Sequence, residues 1–340
     1  MNIHEVAKAA GVSIATVSRV VNHPESVSAK TRERVLAVMS SAPPSDRDYR
    51  GRILARRFAI AVVIPSVCDY RQTYEGAQSV ADGRNYSVQL CVTGCNDGRL
   101  LRCVKSLAAQ QVDGVILAAE NNYAPALHVL QESGIPFVCI GGRPIADCGN
   151  SCYIHYEDSA DKLARYLAEL GCETVCVVTS RAASDCRDAL SRSFRGRWAA
   201  LGREDGQLTF AEAESSVKGG YQFARYFFQT HSTLPDAIVC QHDEVAVGLM
   251  KAASEYKLSI PKQLRVVGFH DAQLSAAVTP ELTTVDQPTF RLGMAAARRL
   301  FDIISDSEYF DIESQEIVLK GRLKIRKSCG NKKAIYELYE

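Results

Sequence analysis

A chain of 340 residues, 46% hydrophobic and 23% charged, has room for about two domain-sized units and an ordinary composition for a globular protein folding in water. Its formal charge of +1 hides an asymmetry: residues 1–58 carry ten Lys/Arg against five Asp/Glu, so a basic head precedes a mildly acidic body, and a polyanion is the expected partner of the head. The opening MNIHEVAKAAG has charges inside its apolar pattern, and the apolar run at 58–64 is too short for a bilayer, so neither a signal peptide nor a membrane span is expected and the chain reads as cytoplasmic.

Residues 1–40 predict three short helices. Val6 and Ala10, then Val17, Val20 and Val21, then Val35, Val38 and Met39 recur at helical spacing. Gly11 falls where a tight turn needs positive φ. Ser13 and Ser28 are placed to cap the second and third helices. SAPPSDRD, residues 41–48, is a polar, proline-rich breaker. It leads into YRGRILARRFAIAVVIP, residues 49–65, where Arg50, Arg52, Arg56 and Arg57 run without a break into a strand-like apolar segment.

Beyond residue 58, apolar runs at 59–64, 87–92, 113–118, 136–140, 174–179, 236–240 and 264–269 alternate with helical spacing such as Leu163, Tyr166, Leu167 and Leu170. Such alternation predicts an α/β fold, with parallel sheets covered by helices on both faces. About 280 residues of it imply two lobes. The basic stretch 181–197 reads as a long insertion or the start of a surface helix. GNKKAIYELYE closes the chain as a polar-aromatic tail.

Twelve cysteines lie between Cys68 and Cys329. None is spaced CxxC, whereas Cys91/Cys95, Cys148/Cys152 and Cys172/Cys176 are spaced CxxxC. No disulfide is expected in a cytoplasmic chain of this size. Several cysteines sit in strand-like runs, where they act as small buried hydrophobes, and a thiol or zinc site is the alternative.

If Ile14 to Val21 is a helix, Val17, Val20 and Val21 turn inward, leaving a slim outer face of Ala15, Thr16, Ser18, Arg19 and Asn22, with Ile14 at its start. Helix, glycine turn, second helix is the geometry whose second helix enters the major groove. Arg grips guanine edges, and Ser, Thr and Asn suit phosphates and base edges.

The blocks VAxxAGVS, TVSRVVN and VSxxTRERV in the head strongly resemble the lactose-repressor (LacI) family of bacterial transcriptional regulators. The resemblance continues through QQVDGVILA, LQESGIPFVCIGG, LAELGCETVCVVT, VVGFHD and TPELTTVDQP. It implies base contacts by Ile14, Ala15 and Arg19, and phosphate contacts by Thr16, Ser18, Asn22, Ser28 and Thr31. Ile14 and Ala15 offer no side-chain hydrogen bond, so direct readout rests on Arg19. YRGRILARRF matches a hinge helix whose leucine wedges into the minor groove, which assigns that role to Leu54 beside Arg56. Gly51 replaces the family's proline, and the slack between hinge and first strand is missing.

For the body, the resemblance implies two periplasmic-binding-protein-like lobes with a ligand cleft at the carboxyl ends of the strands. The implied cleft residues are Ser66, His155, Ser193, Trp198, His242, Asp243, His270, Asp271 and Gln287. Three Asn/Asp positions of the family pattern are His155, His242 and His270 here, and its pocket arginine falls on Ser193, beside Arg192. Losing fixed acceptors and a planar donor argues against an ordinary sugar. The histidines suit an anionic effector, a pH response or a metal, or they merely satisfy local hydrogen bonds.

No nucleophile elbow, dinucleotide fingerprint, P-loop or HExxH is present, so no enzyme and no cofactor is expected. The expected organisation is a helix-turn-helix domain over 1–46 and a hinge over 47–58. The first lobe takes 59–155 with 286–313, the second 156–285 with 314–328, and the tail 329–340. The expected function is a repressor that binds a near-palindromic operator as a homodimer, its affinity set by a sugar, sugar phosphate or other metabolite.

Overall fold

The computed structural model describes residues 3–22, 26–41, 57–118, 123–142, 145, 148–180, 185–203, 206–305 and 314–330. Leu54, Arg56, most of the predicted hinge and most of the tail lie outside them.

The head forms α1 (Ile3–Ala10), α2 (Ile14–Asn22) and α3 (Ala29–Ser41). Their valines and alanines make a small core in which Val6, Ala10, Val17, Val20 and Val35 are buried. Gly11, at φ +63°, closes α1. Its N–H donates to the Lys8 carbonyl, and that of Val12 to the Ala7 carbonyl at 3.0 Å, the pairing that left-handed C-caps provide. Ser13 Oγ then accepts from the Thr16 N–H at 3.1 Å and starts α2.

The rest of the chain is mixed α/β. In order come β1 (Ala59–Ile64), α4 (Val67–Asp82), β2 (Ser87–Val92), α5 (Asp97–Gln110), β3 (Gly114–Ala118), α6 (Ala124–Glu132), β4 (Phe137–Gly141) and β5 (Ser151–Ile154). Then follow α7 (Tyr156–Glu169), β6 (Val175–Ser180), α8 (Asp185–Ala200), β7 (Leu208–Ala213), α9 (Val217–Thr230), β8 (Ala237–Cys240), α10 (Asp243–Glu255) and β9 (Arg265–Val267). Last are α11 (Leu274–Ala277), β10 (Thr284–Asp286), α12 (Thr289–Ser305), β11 (Glu316–Leu319) and β12 (Arg322–Lys324).

One sheet runs β11-β5-β4-β3-β1-β2, a second β7-β6-β8-β9, and β10 pairs with β12. The chain divides into two compact units: Met1–Cys139 with Asp147–Ser151 and Gly293–Gln315, and Ile140–Ala146 with Cys152–Leu292 and Glu316–Glu340. In the first, β1 is buried along its whole length and pairs in parallel with β2 and β3, as an unbroken AIAVVI run requires. In the second, α9 and α10 approach so closely that a Cβ on Gly220 would strike the Val245 backbone, and one on Gly248 the Val217 carbonyl.

Several expectations are corrected. Of the two readings of stretch 181–197, its described part from Asp185 on fits a helix start and not an insertion, though the helix is not purely a surface one: Cys186, Ala189, Leu190, Phe194 and Trp198 form one buried stripe of α8. Its outward arginines had masked that period. The strands β5, β7, β10, β11 and β12 were not anticipated; β10 and β12 have three residues each, too few to show a period. Cys139 and Cys148, with Cα atoms 6.4 Å apart, form a disulfide, against the expectation of none; the loop after β4 brings together two cysteines whose spacing carries no motif. Cys152, Cys172, Cys176, Cys186, Cys240 and Cys329 are buried thiols. Among the described residues, no helix is long and apolar enough to cross a membrane.

Arg57 and Phe58 lead into β1 through a kink. Phe58 sits at φ +51°, a left-handed kink that a bulky residue adopts only when held. Asp113 holds it: Oδ1 accepts from the Arg57 N–H at 3.2 Å and Oδ2 from the Ala59 N–H at 3.1 Å. The Phe58 ring packs on Tyr86 with centroids 5.3 Å apart.

Candidate nucleic-acid interface and effector site

With Val17 and Val20 buried, α2 turns Ala15 and Arg19 to solvent and leaves Thr16 half-buried. Ile14, Ser18 and Asn22 lie on the same helix; their side chains are outside the described set. Thr16 and Ser13 share a hydroxyl hydrogen bond of 2.8 Å, and Ser28 and Thr31 one of 2.9 Å. Ser28 Oγ also accepts from the Thr31 N–H at 3.3 Å. Three of the residues assigned to phosphate contacts therefore serve helix N-termini, where further N–H donors point outward and the helix dipole favours an anion. The arrangement presents a slim polar helix face with one exposed cation, flanked by two helix starts.

Ser66 belongs to the first unit. It stands at the N-terminus of α4 in extended conformation, and its hydroxyl makes no capping bond. The other residues assigned to the cleft belong to the second unit, where each can be placed.

Asp243 is fully buried. Its Oδ1 accepts from the Phe269 N–H (2.8 Å), the His270 N–H (3.2 Å) and the Thr284 hydroxyl (2.8 Å). Its Oδ2 accepts from the Ala272 N–H (2.7 Å) and the Ser275 hydroxyl (2.5 Å). Five donors occupy a carboxylate that has about four lone-pair sites, so Asp243 latches the loop after β9 to the start of α10 and has no capacity left for a ligand. Asp271, at φ +51°, accepts from Lys324 Nζ and Arg326 Nη2, both at 2.6 Å. Burial works against its charge, yet these two bonds hold its carboxyl below the usual carboxylate range. Trp198 is buried in the core, where its indole N–H donates to the Glu173 carbonyl at 3.2 Å and its ring lies 5.8 Å from Phe194. It is a core residue and not a cleft residue, because the α8 stripe carries it inward.

Ser193 donates to the Glu157 carbonyl at 3.3 Å, and Arg192 pairs with the Glu157 carboxylate at 2.6 Å. One turn on, Arg197 grips Asp161 through both oxygens at 2.6 and 2.7 Å, so these arginines tie α8 to α7. His155 caps α7: its Nδ1 accepts from the Asp158 N–H at 3.2 Å. Gln287 is buried; its Oε1 accepts from Ser159 Oγ at 3.5 Å, and its amide nitrogen has no partner among the described residues.

His242 and His270 form a pair. Both are half-buried, at the carboxyl ends of β8 and β9, with rings stacked 5.3 Å apart at 12°. His270 Nδ1 lies 2.8 Å from the Gln241 carbonyl. A carbonyl only accepts, so Nδ1 carries the hydrogen and the Nε2 of a neutral ring is an acceptor. Gln241 is itself fixed by the Ser180 N–H, which donates to its Oε1 at 2.9 Å. The strand ends thus offer two parallel imidazoles, one with its tautomer set. Among the described residues no group of three or more His, Cys, Asp or Glu converges as a metal site would. The residues that hold this region and escaped sequence reasoning are Thr284, Ser275, Lys324 and Arg326; they meet Asp243 and Asp271 from 32 to 55 positions away in the chain.

The model of the bacterial regulatory proteins of the lacI family matches residues 2–42, and that of a periplasmic binding protein-like domain matches residues 164–329. Catabolite control protein A of Staphylococcus epidermidis is 26% identical over 334 residues, covering 96% of this chain and 98% of its own. A LacI family regulator from Enterococcus faecalis V583 solved with bound ribose is 25% identical with a TM-score of 0.70, over 81% of this chain and 100% of that one. A LacI family protein from Silicibacter pomeroyi has a TM-score of 0.74 at 21% identity, over 97% of this chain and 100% of that one. Head, body and full-length relatives agree: the chain is a DNA-binding transcriptional regulator, not an enzyme, with a lacI-family head and a periplasmic-binding-protein-like body.

Proposed function

We propose that this regulator is a cytoplasmic repressor that binds a near-palindromic operator as a homodimer, one α2 in each half-site. The observation that carries the reading is the exposure of Ala15 and Arg19 on α2, opposite the buried Val17 and Val20. Arg19 reads a base edge, Ile14 and Ala15 pack on the groove floor, and Thr16, Ser18, Asn22, Ser28 and Thr31 hold phosphates. Residues 1–46 are the reading head and 47–58 the tether, in which Leu54 is the minor-groove wedge and Arg56 its neighbouring cation. The remainder forms two lobes, followed by the tail 329–340.

Support for a second copy comes from β2, which lies at a sheet edge and exposes Leu90 and Val92. An open apolar edge of this kind calls for a partner. The effector is a small polar metabolite. The bound ribose in the Enterococcus faecalis relative supports a ligand of that size, whereas the occupied carboxylates of Asp243 and Asp271 favour one read by imidazoles, with His155, Ser193 and Gln287 as further contacts.

Selection of random DNA by the purified full-length protein, with and without a metabolite panel, tests this. A recovered two-fold-related motif whose retention shifts with one metabolite is expected. Recovery of unrelated sequences would overturn the reading.

A further inference from the structure

A regulator of bacterial DNA works in a reducing compartment, where disulfides are rare and those that form are mostly transient and redox-sensing. The bond between Cys139 and Cys148 is therefore the feature to explain. Cys139 lies in β4 and is fully buried; Cys148 is 5% exposed and precedes the exposed Gly149, at φ +72°. The Cα atoms are 6.4 Å apart, a span that a disulfide bridges without backbone movement. The reduced state is provided for as well. As a thiol, Cys148 Sγ has the Asn150 carbonyl 3.2 Å away as an acceptor. Cys139, between the buried Val138 and Ile140, has an apolar setting that suits a free cysteine.

The bond also occupies a junction. The Cys139 N–H donates to the Asn150 carbonyl at 3.0 Å, and the Asn150 N–H to the Cys148 carbonyl at 2.8 Å. The Asn150 side-chain oxygen accepts from Arg299 Nε of α12 at 2.8 Å and from the Gln315 N–H at 3.2 Å. The Ser151 N–H donates to the Gln315 carbonyl at 3.0 Å. All of these residues belong to the first unit, which the chain leaves after Cys139, after Ser151 and after Gln315. The disulfide thus sits where those three exits are hydrogen-bonded together.

We propose that Cys139 and Cys148 form a reversible thiol–disulfide switch, closed by a low-molecular-weight disulfide, that stiffens the junction through which the chain leaves the first unit. Cys148, beside the exposed Gly149, reacts first. Its thiolate attacks one sulfur of the small disulfide, the S–S bond breaks, and one small thiolate departs and takes up the proton that Cys148 gave up. The Cys139 sulfur then attacks the Cys148 sulfur of the mixed disulfide. The second small thiolate departs and takes the Cys139 proton. In sum, two protein thiols and one small disulfide give one protein disulfide and two small thiols, and the two electrons lost by the protein pass to the small disulfide. The switch does not depend on the operator or the effector.

The test is peptide mapping of the full-length protein equilibrated in glutathione buffers that span the poise of the cytosol and of oxidising compartments, then acid-quenched, unfolded and alkylated. Free Cys139 and Cys148 at the reducing end and a Cys139–Cys148 cross-linked peptide at the oxidising end are expected, with the same curve from either direction. Amide exchange at Asn150 and Gln315 should slow severalfold on oxidation. A bond that persists in every buffer is a permanent staple and would overturn the proposal. So would thiols that stay free in every buffer, pairing of Cys148 with Cys152 instead, or exchange at Asn150 and Gln315 that ignores the redox state. Cys148→Ser should leave Cys139 alkylated, and both exchange rates constant, in every buffer. Mapping of the unsubstituted chain decides the matter even where that variant fails to fold.

Discussion

The Thr284 hydroxyl donates a 2.8 Å hydrogen bond to Oδ1 of Asp243, and both residues are fully buried. This bond joins the start of α10 to β10, and it belongs to a set of five that a single carboxylate accepts. Asp243→Ala would leave three backbone N–H groups and two hydroxyls without an acceptor. The expected cost is about 3–5 kcal/mol of stability in the second unit, seen as a shift of the urea midpoint. Thr284→Val, which removes one donor, should cost about 1 kcal/mol. Equal effects of the two would mean that Asp243 is not the hub.

His242 and His270 should separate from Trp198 in a ligand assay. Substituting either imidazole with alanine is expected to abolish the thermal shift produced by the metabolite that DNA selection identifies, with little change in the unliganded melting point. Trp198→Phe should do the reverse: it lowers the unliganded melting point and leaves the ligand-induced shift in place, because the indole is core. Loss of the shift on Trp198→Phe at unchanged stability would reverse that assignment.

Asp271 and Asp236 tie stability to pH. Burial disfavours the charge of each. It is outweighed at Asp271 by Lys324 and Arg326, and at Asp236 by the Thr174 and Glu173 N–H groups. Both folded values lie below the unfolded carboxylate value of about 3.9. Their contribution is therefore fully present above that value and lost as pH falls through the lower folded value. The single tryptophan, Trp198, sits in the same unit and reports its unfolding. Its urea midpoint should fall below about pH 4, and Asp271→Asn should flatten the fall while lowering the plateau near pH 7.

Asp113 anchors the entry to the first sheet by accepting from the N–H groups on both sides of Phe58. Asp113→Ala should cost about 1–3 kcal/mol and speed amide exchange at Ala59. An unchanged exchange rate at Ala59 would mean that the kink holds itself.

What sequence revealed and what it hid follow from range. The head was legible because its signals are local: valines at helical spacing, Gly11 at a positive-φ turn, Ser13 and Ser28 at helix starts. The AIAVVI run announced a strand buried on both faces. Asp243 looked like a ligand contact because its position is at a strand end; its five donors lie 26 to 41 residues away, and no local pattern marks them. Trp198 was misplaced for another reason. The stripe through Leu190, Phe194 and Trp198 is periodic, but Arg187, Arg192, Arg195 and Arg197 interleave it and lend the segment a surface character. Three-residue strands such as β10 and β12 exist through pairing with each other, which no single segment announces.

The central claim is that α2 reads DNA through Arg19, and fluorescence anisotropy on the selected operator tests it most directly. Arg19→Ala is expected to lower specific affinity by about 1–3 kcal/mol, roughly 5- to 150-fold, and to relax preference at one base position in each half-site. The same affinity and the same base preferences in the variant would contradict the account.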